Sequence, residues 1–124
     1  MKSLLSCFLL LIVSSLAPAQ INIKFERFTL PNGLQVILNE DHSVPIISVN
    51  IWYRVGSGRE KPGRTGFAHL FEHIMFEGSG HVPEGKFDEW LEAAGGDNNG
   101  STTSDRTNYF EVVPSNALEL PLFL

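Results

Sequence analysis

Cysteine is almost absent: Cys7 is the only one in 124 residues. One cysteine excludes an internal disulfide framework and any zinc site built from several thiolates. Positive charge is also scarce. Nine Lys and Arg stand against 14 Asp and Glu, for a net charge of −5, the wrong sign for an electrostatic nucleic-acid footprint. No apolar run reaches the ~18 residues of a membrane-spanning helix. Composition is otherwise ordinary, 43% hydrophobic and 19% charged, which excludes collagen-like, coiled-coil and disordered chains. What remains is one small globular domain, with enough Gly (11) and Pro (7) for many turns. Any metal ligands must come from the four His and the 14 acidic residues.

The first nineteen residues read as a leader. Met1-Lys2 supplies a positive start, Leu4–Val13 an apolar run, and Ala17-Pro18-Ala19 small residues around a cleavage point after Ala19. That is the three-part pattern of a secretory signal peptide. The competing reading is an N-terminal anchor, but the run from Leu4 to Ala17 is short for a span. Cleavage would leave residues 20–124 without any cysteine, compatible with an oxidising compartment. The expected location is therefore secreted or periplasmic, with a membrane encountered only through the signal peptide during export.

In the remainder, short alternating runs alternate with turn residues. Phe25–Leu30 and Leu34–Glu40 read as strands around the Pro31-Asn32-Gly33 turn. Ile47, Val49, Ile51, Tyr53 and Val55 share one face of a third strand, with Ser48, Asn50 and Arg54 on the wetter face. A Gly-rich charged loop follows from Gly56 to Arg64. Gly66–Glu77 reads as a helix stopped by Gly78. Pro83 opens a second helix, whose Phe87, Trp90, Leu91 and Ala94 fall on one apolar stripe before Gly95-Gly96 ends it. Asn98–Ser104 and Thr107–Val113 read as two further strands, and Asn116–Leu120 as the start of a helix interrupted by Pro121. The expected class is α+β: an antiparallel sheet with packed helices.

His69-Leu70-Phe71-Glu72-His73 carries the chemistry. With ~100° per helical residue, His73 lies at about +40° from His69 and Glu72 at about −60°, so all three share one face. Imidazoles at i and i+4 can share one Zn²⁺, and a carboxylate beside them can take a proton from water. Leu70, Phe71, Ile74, Met75 and Phe76 fill the other faces, which predicts a buried helix whose His and Glu need partners. The bland alternative is a packed helix with two ordinary histidines. Composition alone gives roughly 0.014 expected occurrences of the pattern, which weighs against chance. H-x-x-E-H is the inverted zinc-peptidase motif.

Around this motif the chain resembles the pitrilysin family of zinc peptidases, which includes insulin-degrading enzyme and the mitochondrial processing peptidase. The resemblance runs through T-L-P-N-G-L-Q-V-I-L (29–38), I-W-Y-R-V-G-S-G-R-E (51–60), G-F-A-H-L-F-E-H-I-M-F-E-G-S (66–79) and G-G-D-N-N-G-S-T-T-S-D-R-T-N-Y-F-E-V-V (95–113). It implies that His69 and His73 ligate one zinc ion and that Glu72 is the general base. It also implies a third ligand, a glutamate on a later helix beyond Leu124, so that residues 20–124 would be the N-terminal part of a longer catalytic domain. Asn98, Asn99, Gly100, Ser101 and Thr102 match the family's edge strand, where a substrate peptide adds as a further strand. The family often has Asn-Ala where this chain has Asn99-Gly100, and Gly admits a bulge there.

The implied activity is zinc-dependent hydrolysis of peptides or small proteins. The alternative is a non-catalytic peptide-binding or partner subunit of such a protease. Expected partners are a peptide substrate and a second pitrilysin-like domain or subunit, with no nucleic acid. With two imidazoles alone, the 124-residue chain is expected to be inactive by itself. Glu77 follows on the motif helix at a permissive angle, but reads as an imidazole partner or a solvated side chain rather than a ligand. His42 and His81 read as loop residues, Trp52 and Trp90 as packing residues, and Arg54, Arg59, Lys61 and Arg64 as a solvated basic loop.

Overall fold

The structure is a computed structural model that describes residues 22–124. The leader read in residues 1–19 lies outside them. The chain divides into two units, one ending at His42 and the other running Ser43–Leu124.

In the first unit, β1 (Glu26–Thr29) and β2 (Gln35–Leu38) form an antiparallel hairpin, with Glu26 opposite Leu38 and Thr29 opposite Gln35. Both strands are shorter than the alternation suggested, and next to the turn the residues bond within it. The Gly33 amide donates to Leu30 O at 2.9 Å, and the Leu34 amide donates to Asn32 Oδ1 at 3.1 Å. Gly33 takes φ +88°, a conformation that costs a residue without Cβ nothing.

The second unit holds a three-stranded antiparallel sheet in the order β3-β5-β4: β3 is Ile46–Tyr53, β4 Asp97–Thr102 and β5 Thr107–Pro114. The expected α+β class, with an antiparallel sheet and packed helices, is what the structure shows. On β3, Ile47 and Val49 are half-buried while Ser48 and Asn50 are exposed, the two faces that the alternation separates. Ile51 and Tyr53 share the face of Ile47 but are exposed. No bulge occurs at Gly100. β4 pairs without interruption from Asp97 opposite Val112 to Thr102 opposite Thr107, with Gly100 opposite Tyr109. Among the described residues β4 has β5 as its only strand neighbour, so its other edge is open.

Helices α1 (Phe67–Ile74) and α2 (Lys86–Ala93) lie in the connection between β3 and β4. α1 is shorter than the sequence suggested. After Ile74 the chain tightens, with the Phe76 amide on His73 O and the Glu77 amide on Ile74 O, the i→i+3 pattern that commonly ends a helix. α2 starts at Lys86 rather than at Pro83, and Pro83 O accepts the Lys86 amide. Its stripe packs as expected. Phe87 and Leu91 are buried with Val82 and Val113 in the core, and Trp90 is half-buried against them. The helix following Ser115–Ala117 is α3 (Glu119–Phe123). Pro121 does not interrupt it. It sits in the first turn, where its missing N–H has no helical acceptor to lose.

Gly95-Gly96 closes α2 by a Schellman motif: the Gly96 amide donates to Leu91 O at 2.7 Å and the Gly95 amide to Glu92 O at 2.9 Å. Gly95 supplies the left-handed residue, at φ +78°. Gly96 has a different task. A Cβ there would stand 2.8 Å from Val113 Cγ1 and 3.1 Å from Val112 O, so its hydrogen lets α2 close onto β5. Gly96→Ala is expected to destabilise the protein by about 1–3 kcal/mol through this overpacking. Thermal or denaturant unfolding of the variant against wild type measures it.

Candidate metal and peptide site

Gly66, the N-cap of α1, has φ +94° and no side chain to cap with. The orphan N–H groups of the first turn are met by Glu60 instead. The Gly66 amide donates to Glu60 Oε2 and the Ala68 amide to Glu60 Oε1, both at 2.7 Å. Bonds from the Ala68 and Gly66 amides hold the Glu60 carboxyl below the usual carboxylate range. The loop bearing Glu60 is itself pinned to the β4–β5 turn. The Ser57 amide donates to Thr103 O at 3.0 Å and the Gly58 amide to Ser104 O at 2.7 Å. Gly56 approaches the turn so closely that a Cβ would lie 2.4 Å from Thr103 O. α1 is thus tied at its start to the same hairpin that it packs against.

On α1 the imidazoles of His69 and His73 converge, with Nε2 to Nε2 3.1 Å and ring centroids 4.8 Å apart. Two nitrogens on one tetrahedral zinc, each at ~2.0–2.1 Å, stand about 3.3–3.4 Å apart. The pair therefore fits a shared ion to within a few tenths of an ångström, and the same spacing also suits an imidazole–imidazole hydrogen bond. Among the described residues, no group of three or more His, Cys, Asp or Glu side chains is gathered to hold a metal. Glu77 lies beyond α1, on the wall of the cleft described below.

The burial of α1 runs opposite to the expectation from its composition. Its buried residues are Ala68 and Glu72, at 9% and 8% exposure, while Phe67, Leu70, Phe71, Ile74 and Met75 are exposed. His69 and His73 are exposed as well. The reason is which side of the helix meets the sheet. The Ala68–Glu72 line faces β4 and β5, Phe67, Phe71 and Met75 border an open apolar recess beside it with Tyr53, Val55 and Tyr109, and Leu70 and Ile74 fall on the side turned away from the sheet.

Glu72 is seated on β4. Its Oε2 accepts a hydrogen bond from the Thr102 hydroxyl. A Cβ at Gly100 would lie 3.1 Å from Glu72 Cγ and 3.2 Å from Phe76 Cε2, so the missing side chain makes room for the carboxylate stem. An Ala there would require a shift of a few tenths of an ångström. Tyr109, opposite Gly100 on β5, stacks edge-on with Phe76 at 5.6 Å. Burial first, and then the Glu72 charge, push its phenol up.

A cleft of about 310 Å³ joins the two predicted regions. Glu72, His73, Phe76 and Glu77 line one side, and Asn98, Asn99 and Gly100 the other. Asn98 Nδ2 donates to Asp88 Oδ1 on α2 at 2.8 Å, and the Gly100 amide donates to Asn99 Oδ1 at 2.8 Å. The last two residues of the predicted strand site are engaged elsewhere. Ser101 Oγ donates to Asn108 Oδ1 at 2.6 Å on the sheet's other face and also accepts from Arg106. Thr102 is turned to Glu72.

Of the remaining sequence candidates, His42 pairs with Glu40 within the first unit at 2.7 Å, and His81 is an exposed loop residue of the second. Arg54, Arg59, Lys61 and Arg64 are exposed. Trp90 packs as expected, but Trp52 is 61% exposed with the Arg106 guanidinium 4.8 Å above its ring. β3 turns Trp52 to the outer face, where no helix among the described residues covers it. Sequence reading missed Glu60, Phe76 and Thr107. For Glu60 a signal existed: a helix opening on Gly must find its cap acceptor elsewhere, and Glu60 is the acidic residue just upstream.

The sequence model of the insulinase family, peptidase family M16, matches residues 35–122. The chain belongs to this family. It is 40% identical over 88 residues to the zinc protease PqqE of Helicobacter pylori, covering 70% of this chain and 20% of that protein. It is 35% identical over 89 residues to a probable mitochondrial-processing peptidase subunit beta of Arabidopsis thaliana, covering 71% and 17%. A crystal structure of a protease from Helicobacter pylori superposes with a TM-score of 0.79 at 36% identity, covering 82% of this chain and 25% of that one. The pitrilysin-like resemblance read from the sequence is thus a family membership, shared with proteins named zinc proteases. The chain spans about a fifth of the length of the curated relatives it matches.

One titratable group on the helix-facing side of β5 stands outside these contacts. Glu111 is 6% exposed, and its Oε2 has no hydrogen-bond partner among the described residues. Burial pushes its carboxyl up to about 7. A raised folded-state value favours folding below the unfolded value of 4.5 and loses that contribution as pH rises through about 7. Glu111→Gln is therefore expected to stabilise the protein at pH 8 by about 1–2 kcal/mol and to bring little at pH 5. Unfolding at the two pH values tests this; an equal effect at both would show that Glu111 does not titrate in this range.

Proposed function

We propose that the intact protein is a zinc-dependent endopeptidase acting on peptides or small proteins. The observation that carries this reading is the single cleft shared by Glu72, His73 and the strand segment Asn98–Gly100. His69 and His73 would hold zinc through their Nε2 atoms, and the third protein ligand belongs to a later helix, beyond Leu124. When bound, zinc would polarise the scissile carbonyl and make water a stronger acid. The chain's own residues do the rest. A peptide adds along the open edge of β4, where main-chain bonds accept many sequences. Glu72, on the facing helix, takes a proton from water and returns one to the leaving amine. Its seat against β4 holds the base beside the strand that carries the substrate. A second family domain or subunit is the expected partner. The leader pattern in residues 1–19 supports a secreted or periplasmic location.

The alternative is a peptide-binding subunit without catalysis, since an open strand edge binds peptides with no metal. Glu72→Gln separates the two. In the intact protein it is expected to lower hydrolysis of a quenched fluorescent peptide by at least ~10²-fold, with zinc content unchanged. Undiminished turnover would remove Glu72 from the role of base, and stoichiometric zinc with no wild-type turnover would favour the binding subunit. Residues 20–124 by themselves are expected to show no chelator-sensitive turnover, because a catalytic zinc site takes three protein ligands. Turnover from that segment would place a third ligand within it, with Glu77 the first residue to replace.

A further inference from the structure

We propose that Thr102 is the positioning residue for the Glu72 carboxylate, fixing which of its oxygens is left for the reaction. This rests on the reading of Glu72 as general base. The Thr102 hydroxyl donates to Glu72 Oε2 across 30 positions of sequence, from β4 to α1. Gly100, two residues earlier on the same face of β4, adds the second constraint. A Cβ there would stand 3.1 Å from Glu72 Cγ and 3.3 Å from Oε1. The stem therefore lies in the space that Gly100 leaves, Oε2 is bound, and Oε1 sits over the strand backbone on the cleft wall.

Thr102 can serve this way because it is itself held. It lies opposite Thr107 in the β4–β5 pairing, with the two hydroxyl oxygens 3.3 Å apart. Thr107 Oγ1 donates to Val55 O at 2.9 Å. Each hydroxyl has one proton. Thr107 gives its proton to Val55, and Thr102 gives its own to Glu72. The threonine χ1 is stiff, so the position of the donor oxygen is set by the strand and not by solvent. Glu72 is thereby referenced to the strand along which a peptide would bind, rather than only to its own helix.

The test uses the intact zinc-loaded protein and a quenched fluorescent peptide. Thr102→Val keeps the shape and removes the hydroxyl. Its kcat is expected to fall roughly ten- to a hundred-fold, with KM within about two-fold and zinc content unchanged. Thr102→Ser is expected to recover kcat to within a few-fold of wild type. An unchanged kcat in Thr102→Val, a loss confined to KM, or a Ser variant as slow as Val would overturn the proposal. If Thr102→Val does not fold, the Ser and Ala variants are compared instead, and equal kcat values overturn it. Glu72→Gln is measured in parallel. If it abolishes turnover while Thr102→Val does not slow it, the positioning role alone fails; if it keeps turnover, the general-base reading fails. Adding Thr102→Val to Glu72→Gln is expected to cause no further loss, as for two residues acting through one group.

Discussion

A carboxylate taken out of water needs a donor, and at Glu72 that donor is a hydroxyl on another element of the fold. Much of the second unit can be understood as the means of bringing the two together. β4 must come close enough to α1 for Thr102 to reach, and the missing side chain at Gly100 eases that approach. α1 must start at a fixed place, which the Glu60 carboxylate ensures by holding its first amides. The loop that carries Glu60 must not drift, and the tight approach of Gly56 to the β4–β5 turn prevents that. Contacts at both ends of α1 thus lead back to one hairpin. The helix bearing the motif is placed by the strand whose edge has no strand partner among the described residues.

The same placement explains the exposed apolar face of α1. A helix that turns Glu72 inward must turn something else outward, and on α1 those residues are Leu70 and Ile74, while Phe67 and Phe71 border the open recess beside β3 and β5. One charge-assisted bond and the caps at its start hold the rotation that is observed. The imidazoles follow from that rotation: one step around from Glu72, they emerge side by side at the surface, 3.1 Å apart.

The parts legible in the sequence were those governed by a fixed local period. Helical spacing put His69, Glu72 and His73 on one face, alternation separated Ile47 and Val49 from Ser48 and Asn50, and the Phe87–Leu91 stripe predicted the core side of α2. Turn chemistry at Gly33 and Gly95 was legible for the same reason. What could not be read depends on partners distant in sequence. Gly100 reads as a weak point in a strand until Glu72 and Phe76 are seen beside it. Ser101 and Thr102 read as one polar run, yet the pleat sends Ser101 to Arg106 and Asn108 and Thr102 to the general-base candidate. Trp52 reads as core because it is large and apolar, but nothing within its own strand reveals that its face stays uncovered. The role of the strand as a peptide edge came from family resemblance, not from any period in the residues.

The strand order has a consequence for how the protein is made. Among the described residues β3 and β4 are not neighbours; each pairs with β5, which follows both in sequence. During synthesis β3 therefore remains without a ladder partner until Thr107–Pro114 has been added, some 54 residues after Tyr53, its first contact being opposite Thr107. Both helices and β4 leave the ribosome before that closure. Such non-local pairing folds slowly, because loop entropy is lost before contacts compensate. An apolar strand edge waiting for its partner is also open to the wrong one. The site residues described on α1 and β4 precede β5, but the scaffold that fixes their relative positions arrives with it. The site is assembled by the strand that contributes no ligand to it.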